Sequence, residues 1–236
     1  MEAEMTEQPK VNLIRILVQL LIVVVLFPLF PLIISGDWSW WQGWAYFALT
    51  VLSFILSRLV LRRVHPDLIQ ERARFMDAKD TKPWDKVLAP LLALGSVFVA
   101  IVAGLDHLYH WTSAFPGWVH ITAIIVMVLG YTFSSWALVV NRFFSGTVRI
   151  QTERGHHVVT DGPYRFIRHP GYAGALLGFV LIPLLLDSLW AFVPAALLTA
   201  ITFVRTALED ATLQKELPGY AEYAQRTRYR LIPGVW

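Results

Sequence analysis

The sequence predicts an all-α integral membrane protein with about six transmembrane helices and a polar site on the cytoplasmic side. Three observations carry this expectation. Of 236 residues, 56% are hydrophobic and only 16% charged, against about 25% charged in a soluble domain. The apolar residues fall into runs long enough to cross a bilayer, which takes about 20 residues per helix. Finally, all 20 lysines and arginines lie on one alternating set of connecting segments or at the span ends that meet them.

The first run, 13–34, is longer than the apolar core of a secretion signal and is read as a permanent span. Runs 43–61, 87–105 and 118–140 follow as spans two to four. Two shorter runs, 172–186 and 188–203, are separated only by Asp187 and read as a tight helical hairpin. Pro183 and Pro194 are expected to bend its helices, because proline removes a backbone donor.

Orientation follows from charge. Lys10 and Arg15 precede or enter the first span, and the inner loop 62–86 is rich in both basic and acidic residues. Five arginines lie between spans four and five, and Arg205 to Arg230 follow the last span. The opposite loops hold Asp37, Asp106 and Asp187 but no basic residue. Cytoplasmic loops carry the Lys/Arg excess, so both termini and the loop 141–170 are placed in the cytoplasm. Trp38, Trp40, Trp41 and Trp44 are expected in the interfacial aromatic belt.

The chain is organised as 1–140, four helices with the inner loop, and 141–236, a loop, the hairpin and a C-terminal segment, forming one structural domain. There is no cysteine, which excludes disulfides and thiolate chemistry. A net charge of +3 gives no reason to expect a nucleic-acid partner. Asp106, His107 and His110 have a spacing that suits helical metal ligands, but only a distant His120 is available to add to them; no metal is expected.

The most informative stretch runs from Gly162 to Gly174, Gly-Pro-Tyr-Arg-Phe-Ile-Arg-His-Pro-Gly-Tyr-Ala-Gly. Polar groups at the mouth of a bilayer helix are costly and point to function. Segments 147–151 and 157–160 carry β-branched residues around Gly155 and are expected to pair as a small hairpin. Asp161-Gly162-Pro163 reads as a turn. His169-Pro170 reads as a helix start, with proline where its missing donor costs nothing. Arg205 and Glu209, four apart, share a helical face. They read either as a local ion pair or as two side chains aimed into a pocket beside His169.

This ordered set resembles the isoprenylcysteine carboxyl methyltransferase family, which overlaps with membrane phospholipid methyltransferases. The matching pieces are His156-His157-Val158-Val159-Thr160-Asp161-Gly162-Pro163-Tyr164, Arg168-His169-Pro170-Gly171-Tyr172-Ala173-Gly174, Glu209-Asp210-Ala211-Thr212-Leu213, Gly219-Tyr220-Ala221-Glu222-Tyr223 and Arg230-Leu231-Ile232-Pro233. The resemblance covers about the last 100 residues and makes 141–236 the methyltransferase-like region. It implies S-adenosyl-L-methionine as cofactor, bound by Gln151, His156, His157, Val158, Val159, Tyr164, His169, Pro170, Gly171, Tyr172 and Glu209. It implies Arg205 as the residue that orients an acceptor carboxylate. The second acid after the hairpin is Asp210 here, where the family often has glutamate.

The expected activity is methyl transfer to a lipophilic or lipid-linked acceptor, with a carboxylate as the leading candidate. Methylation of a phospholipid amine or a small thiol is the nearest alternative. An NADPH-dependent sterol-type reductase and a non-enzymatic membrane scaffold or transporter are the others. Membrane lipids are expected partners. A carboxylate acceptor needs no general base, because it is already an anion; an amine or thiol must lose a proton.

Overall fold

The computed structural model describes residues 20–73 and 80–236. Lys10, Arg15, Arg74, Lys79 and the beginning of the first span lie outside the described residues. Among those described, the regular structure is helical throughout. Helix α1 is the apolar stretch Leu21–Ser35, with its first turns wound as a π-helix. Then come α2 (Trp41–Val64), α3 (Pro66–Ala73), α4 (Asp85–Tyr109), α5 (Gly117–Val140), α6 (Pro170–Leu185), α7 (Phe192–Glu216) and α8 (Tyr220–Arg226).

Helices α2, α4, α5 and α7 are each long and apolar enough to cross a membrane, while α1 and α6 are shorter apolar helices. Their outer faces present Leu52, Ile55, Leu59, Phe98, Ile125, Leu129, Val193 and Leu197 as exposed side chains. Water would not tolerate so much contiguous apolar surface; lipid does. Inside, Leu32, Val99, Met127, Ile182, Leu185 and Leu198 pack one core across the bundle.

The most extensive helix contact joins α5 to α6, and glycine permits it. A Cβ on Gly174 would collide with the Gly130 carbonyl and sit 2.8 Å from Ser134 Cβ. Small residues let membrane helices approach backbone to backbone. Helices α6 and α7 also pack together, joined across residues 186–191 rather than by Asp187 alone. The turn is longer because Ser188 is recruited: its hydroxyl donates to Asp106 and accepts from the Ala191 N–H.

At this end of the bundle the three loop carboxylates gather. Asp187, in a left-handed conformation with φ 51°, accepts from Gln42 and the Phe115 N–H and bonds His120. Asp106 accepts from the Thr112 N–H and hydroxyl, and Asp37 bonds His107. Trp38, Trp41 and Trp44 are exposed, but Trp40 is buried and stacks on His107 with centroids 3.9 Å apart. Trp40 is therefore core rather than belt.

Two further expectations change. Pro194 does not bend its helix, because α7 begins at Phe192 and a first-turn N–H has no intrahelical acceptor to lose. The paired strands at 147–151 and 157–160 do not form. The Val148 N–H donates to Asp85 at 2.6 Å, and its carbonyl accepts from the Lys82 N–H at 3.0 Å. The donors and acceptors a ladder needs are already committed to the start of α4.

Candidate active site

The loop from Asn141 to His169 folds over the end of the bundle opposite those carboxylates. Helix α3 holds it there. Asp67 pairs with Arg142 at 3.0 Å and Arg154 at 2.7 Å, and Glu71 pairs with Arg149 at 2.8 Å. The Arg154 bond, and then Arg142, draw the Asp67 carboxyl down to about 2. Gly155 (φ 66°) and Gly162 (φ 57°) take left-handed turns. At Gly162 a side chain would also press on Val140 and the Trp136 ring.

The turn at Gly162–Arg165 buries Tyr164, whose hydroxyl accepts from Asn141 and whose carbonyl accepts from Tyr223. Burial raises the Tyr164 phenol well above its ordinary range, so it acts only as a neutral hydroxyl. Pro170 then opens α6 at its first position.

Beneath this loop lies a partly open cavity of about 90 Å³. Every site residue expected from sequence lines it except Pro170, which sets the start of α6 instead. His156 lies against the Phe143 ring, centroids 4.6 Å apart. Its Nδ1 accepts from the Gln151 N–H, so the neutral ring carries its proton on Nε2. Burial, then the positive charges of His157, Arg149 and Arg154, lower its pKa to about 4. His157 is exposed, and Val158 packs on Leu217, Tyr220 and Tyr223. The Gln151 amide is engaged by the Phe143 carbonyl and by Arg154, so it braces the loop.

Helix α7 supplies the other wall. It continues unbroken past Phe203 to Glu216 and so carries Arg205, Glu209 and Asp210 on one rigid rod. Tyr172 donates to Glu209 at 2.5 Å and stacks with His169, centroids 5.9 Å apart. Glu209 has no cation within 4 Å among the described residues and remains available to a ligand. The local Arg205–Glu209 ion pair is not formed. Arg205 instead makes a bidentate pair with buried Asp85, at 2.6 and 3.0 Å, and bonds the Gly146 carbonyl. Its guanidinium sits 5.3 Å from the Tyr172 ring centre, and its Nη1 has no hydrogen bond among the described residues.

Asp210 is the buried hub behind this wall. Its Oδ1 faces Arg168 at 2.7 Å, His169 at 3.2 Å and Tyr220 at 3.2 Å. Its Oδ2 faces Arg168 at 2.9 Å, Gln214 at 2.8 Å and Arg230 at 2.9 Å. Arg168 also bonds the Thr227 and Arg228 carbonyls. The Arg168 and His169 N–H groups donate to the Tyr229 and Arg230 carbonyls at 2.9 Å. Residues 227–230 thus strap the His169 turn to α7. Sequence reasoning missed Asp85 and this hub. Asp85 stands 120 positions from its partner, and only the helix-start signal of an acid before an apolar run marked it.

Residues 122–215 match the isoprenylcysteine carboxyl methyltransferase family. Over that stretch, less than half of its length, the chain is similar to that family. The matched stretch contains α6, most of α7 and nearly all of the cavity wall. Protein-S-isoprenylcysteine O-methyltransferase B of Arabidopsis thaliana is 27% identical over 142 residues, 59% of this chain and 69% of that protein. Its A counterpart is 32% identical over 91 residues, 38% and 43% respectively. The cobalt-zinc-cadmium resistance protein CzcN of Cupriavidus metallidurans is 37% identical over 81 residues, 33% and 37% respectively. The last two therefore share less than half their length with this chain.

Proposed function

We propose that this chain is an integral-membrane methyltransferase that moves a methyl group from S-adenosyl-L-methionine to a carboxylate on a lipophilic acceptor, of the isoprenylcysteine type. In this reading six helices cross the bilayer, both termini are cytoplasmic, and the cavity opens on the cytoplasmic side. One observation carries it: the Tyr172–Glu209 pair, the His169 ring and the 156–159 stretch face one cavity.

The residues fit the donor's chemistry. Glu209 is a carboxylate without an ion-pair partner among the described residues, suited to an ammonium group or to ribose hydroxyls. Phe143, His156, His169 and Tyr172 provide ring faces. Val158 and Val159 provide apolar wall, and Gly171 leaves room that the Phe144 ring partly fills. The donor supplies an electrophilic methyl group on a sulfonium, and its transfer to a carboxylate oxygen leaves a thioether and a methyl ester with no proton to remove. What the chain must do is hold both partners in register and exclude water. The loop over the cavity and the strap 227–230 serve exclusion. Asp85 fixes Arg205, whose Nη1 is left to make one charge-assisted bond to an acceptor carboxylate.

Calorimetric binding of S-adenosylhomocysteine to the protein in lipid nanodiscs tests the reading. Glu209→Gln and Tyr172→Phe remove or weaken bonds to a charged group worth about 1.5–3 kcal/mol, so each should weaken binding roughly ten- to hundredfold. Absence of binding by the unaltered protein would sink the reading. Labelled methyl transfer into a total lipid extract then identifies the acceptor.

A further inference from the structure

An acidic residue at the start of a helix ordinarily answers that helix's own free N–H groups, where the dipole favours negative charge. Asp85 opens α4, yet its oxygens turn to other elements. The carboxylate is fully buried. Its Oδ1 accepts from Arg205 Nε at 2.6 Å. Its Oδ2 accepts from Arg205 Nη2 at 3.0 Å and from the Val148 N–H at 2.6 Å. One side chain on α4 thus holds both the arginine of α7 and the loop that covers the cavity.

A guanidinium has two edges that can grip both oxygens of a carboxylate, one formed by Nε with Nη2 and the other by Nη1 with Nη2. In Arg205 the protein fills both. Asp85 takes the first edge, and the Gly146 carbonyl, 3.1 Å from Nη2, takes the donor that the second would share. The loop side of this grip is pinned in turn. The Val148 carbonyl accepts from the Lys82 N–H at 3.0 Å, and the Thr147 and Thr81 hydroxyls bond at 3.1 Å. Arg205 lines the cavity beside Ser145, Thr147 and Tyr172. Neither edge turns towards that space without breaking bonds to α4 and to the loop. A carboxylate in the cavity meets the single nitrogen Nη1.

We propose that Asp85 is a positioning residue that confines the acceptor to a one-oxygen hold, so that the carboxylate is oriented by Arg205 through one oxygen and attacks with the other. This deepens the methyl-transfer reading and rests on it for the reaction. A carboxylate gripped through both oxygens has both drawn into N–H bonds, and those bonds weaken as negative charge leaves it during transfer. Such a grip stabilises the ground state more than the transition state and slows the reaction. With one oxygen free, that oxygen bonds the methyl carbon. The electron pair of the broken carbon–sulfur bond goes to sulfur, leaving a thioether. The carboxylate and sulfonium charges cancel, and no proton moves.

The test uses the full chain in phosphatidylcholine nanodiscs with N-acetyl-S-farnesylcysteine as acceptor. In Asp85→Asn the guanidinium is released to turn an edge to the acceptor. The extra bond should lower acceptor KM and kcat together, each roughly tenfold. S-adenosylhomocysteine affinity, measured by calorimetry on the same sample, should stay within about threefold. A purely structural Asp85 moves these readouts the other way, because a loosened loop raises acceptor KM and weakens S-adenosylhomocysteine binding. An acceptor KM that is unchanged or raised would therefore overturn the inference. A second measurement needs no variant. With an isotope-labelled carboxyl on the acceptor, a one-oxygen hold separates its two carbon–oxygen infrared stretches more widely than in the free anion. A separation no wider than that of the free anion would also overturn it. If the unaltered protein transfers no methyl group, the methyl-transfer reading falls instead, and the infrared bands of the bound acid still report how Arg205 holds it.

Discussion

Replacing Asp210 with asparagine is the most exacting perturbation of this structure. The carboxylate is fully buried, and three donors face each oxygen. Asparagine presents one oxygen and one NH₂. In either flip, the NH₂ meets Arg168 and two further polar groups that were donating to the carboxylate. Arg168 is then a buried cation with no carboxylate within 4 Å among the described residues. Breaking a buried pair by removing one partner costs about 3–5 kcal/mol. For a domain of this size, 1 kcal/mol corresponds to about 2–4 °C in melting temperature, which gives a fall of about 6–20 °C. Intrinsic-fluorescence melting in detergent measures it. Adding Arg168→Gln should recover part of the loss, because the orphaned charge goes with it. A fall below about 3 °C, or no recovery in the double variant, would refute the hub argument.

Two other outcomes follow from the same geometry. Gly174→Ala drives a methyl group into the Gly130 carbonyl and should cost about 1–3 kcal/mol as overpacking; unchanged melting would show that α5 and α6 yield freely. His156 is held near a pKa of about 4, below the ordinary 6.5 or so. The unfolded chain therefore binds a proton that the folded chain refuses, and stability should rise with pH between about 4 and 6.5 and level off above. His156→Gln should flatten that part of a melting-temperature profile; an unchanged slope assigns it elsewhere.

Much of this architecture is legible in the sequence, because its strongest signals are local. Apolar length marks α2, α4 and α5. His169-Pro170 marks the start of α6, and most of the motif residues that line the cavity stand in one stretch, 151–172. Pairings across distance were not legible. Nothing near Asp85 announces Arg205, and Asp210 reads as a conservative departure until its six donor contacts are counted in space. The β-branched residues at 147–151 misled because strand propensity is context-dependent, and the start of α4 claims their backbone groups first.

The strap at 227–230 has a consequence for biosynthesis. Those residues reach Arg168 and His169 from beyond α7, so a nascent chain whose apolar helices have all been made still lacks a finished cavity wall. The His169 turn is strapped to α7 only once the segment past Arg226 has folded back.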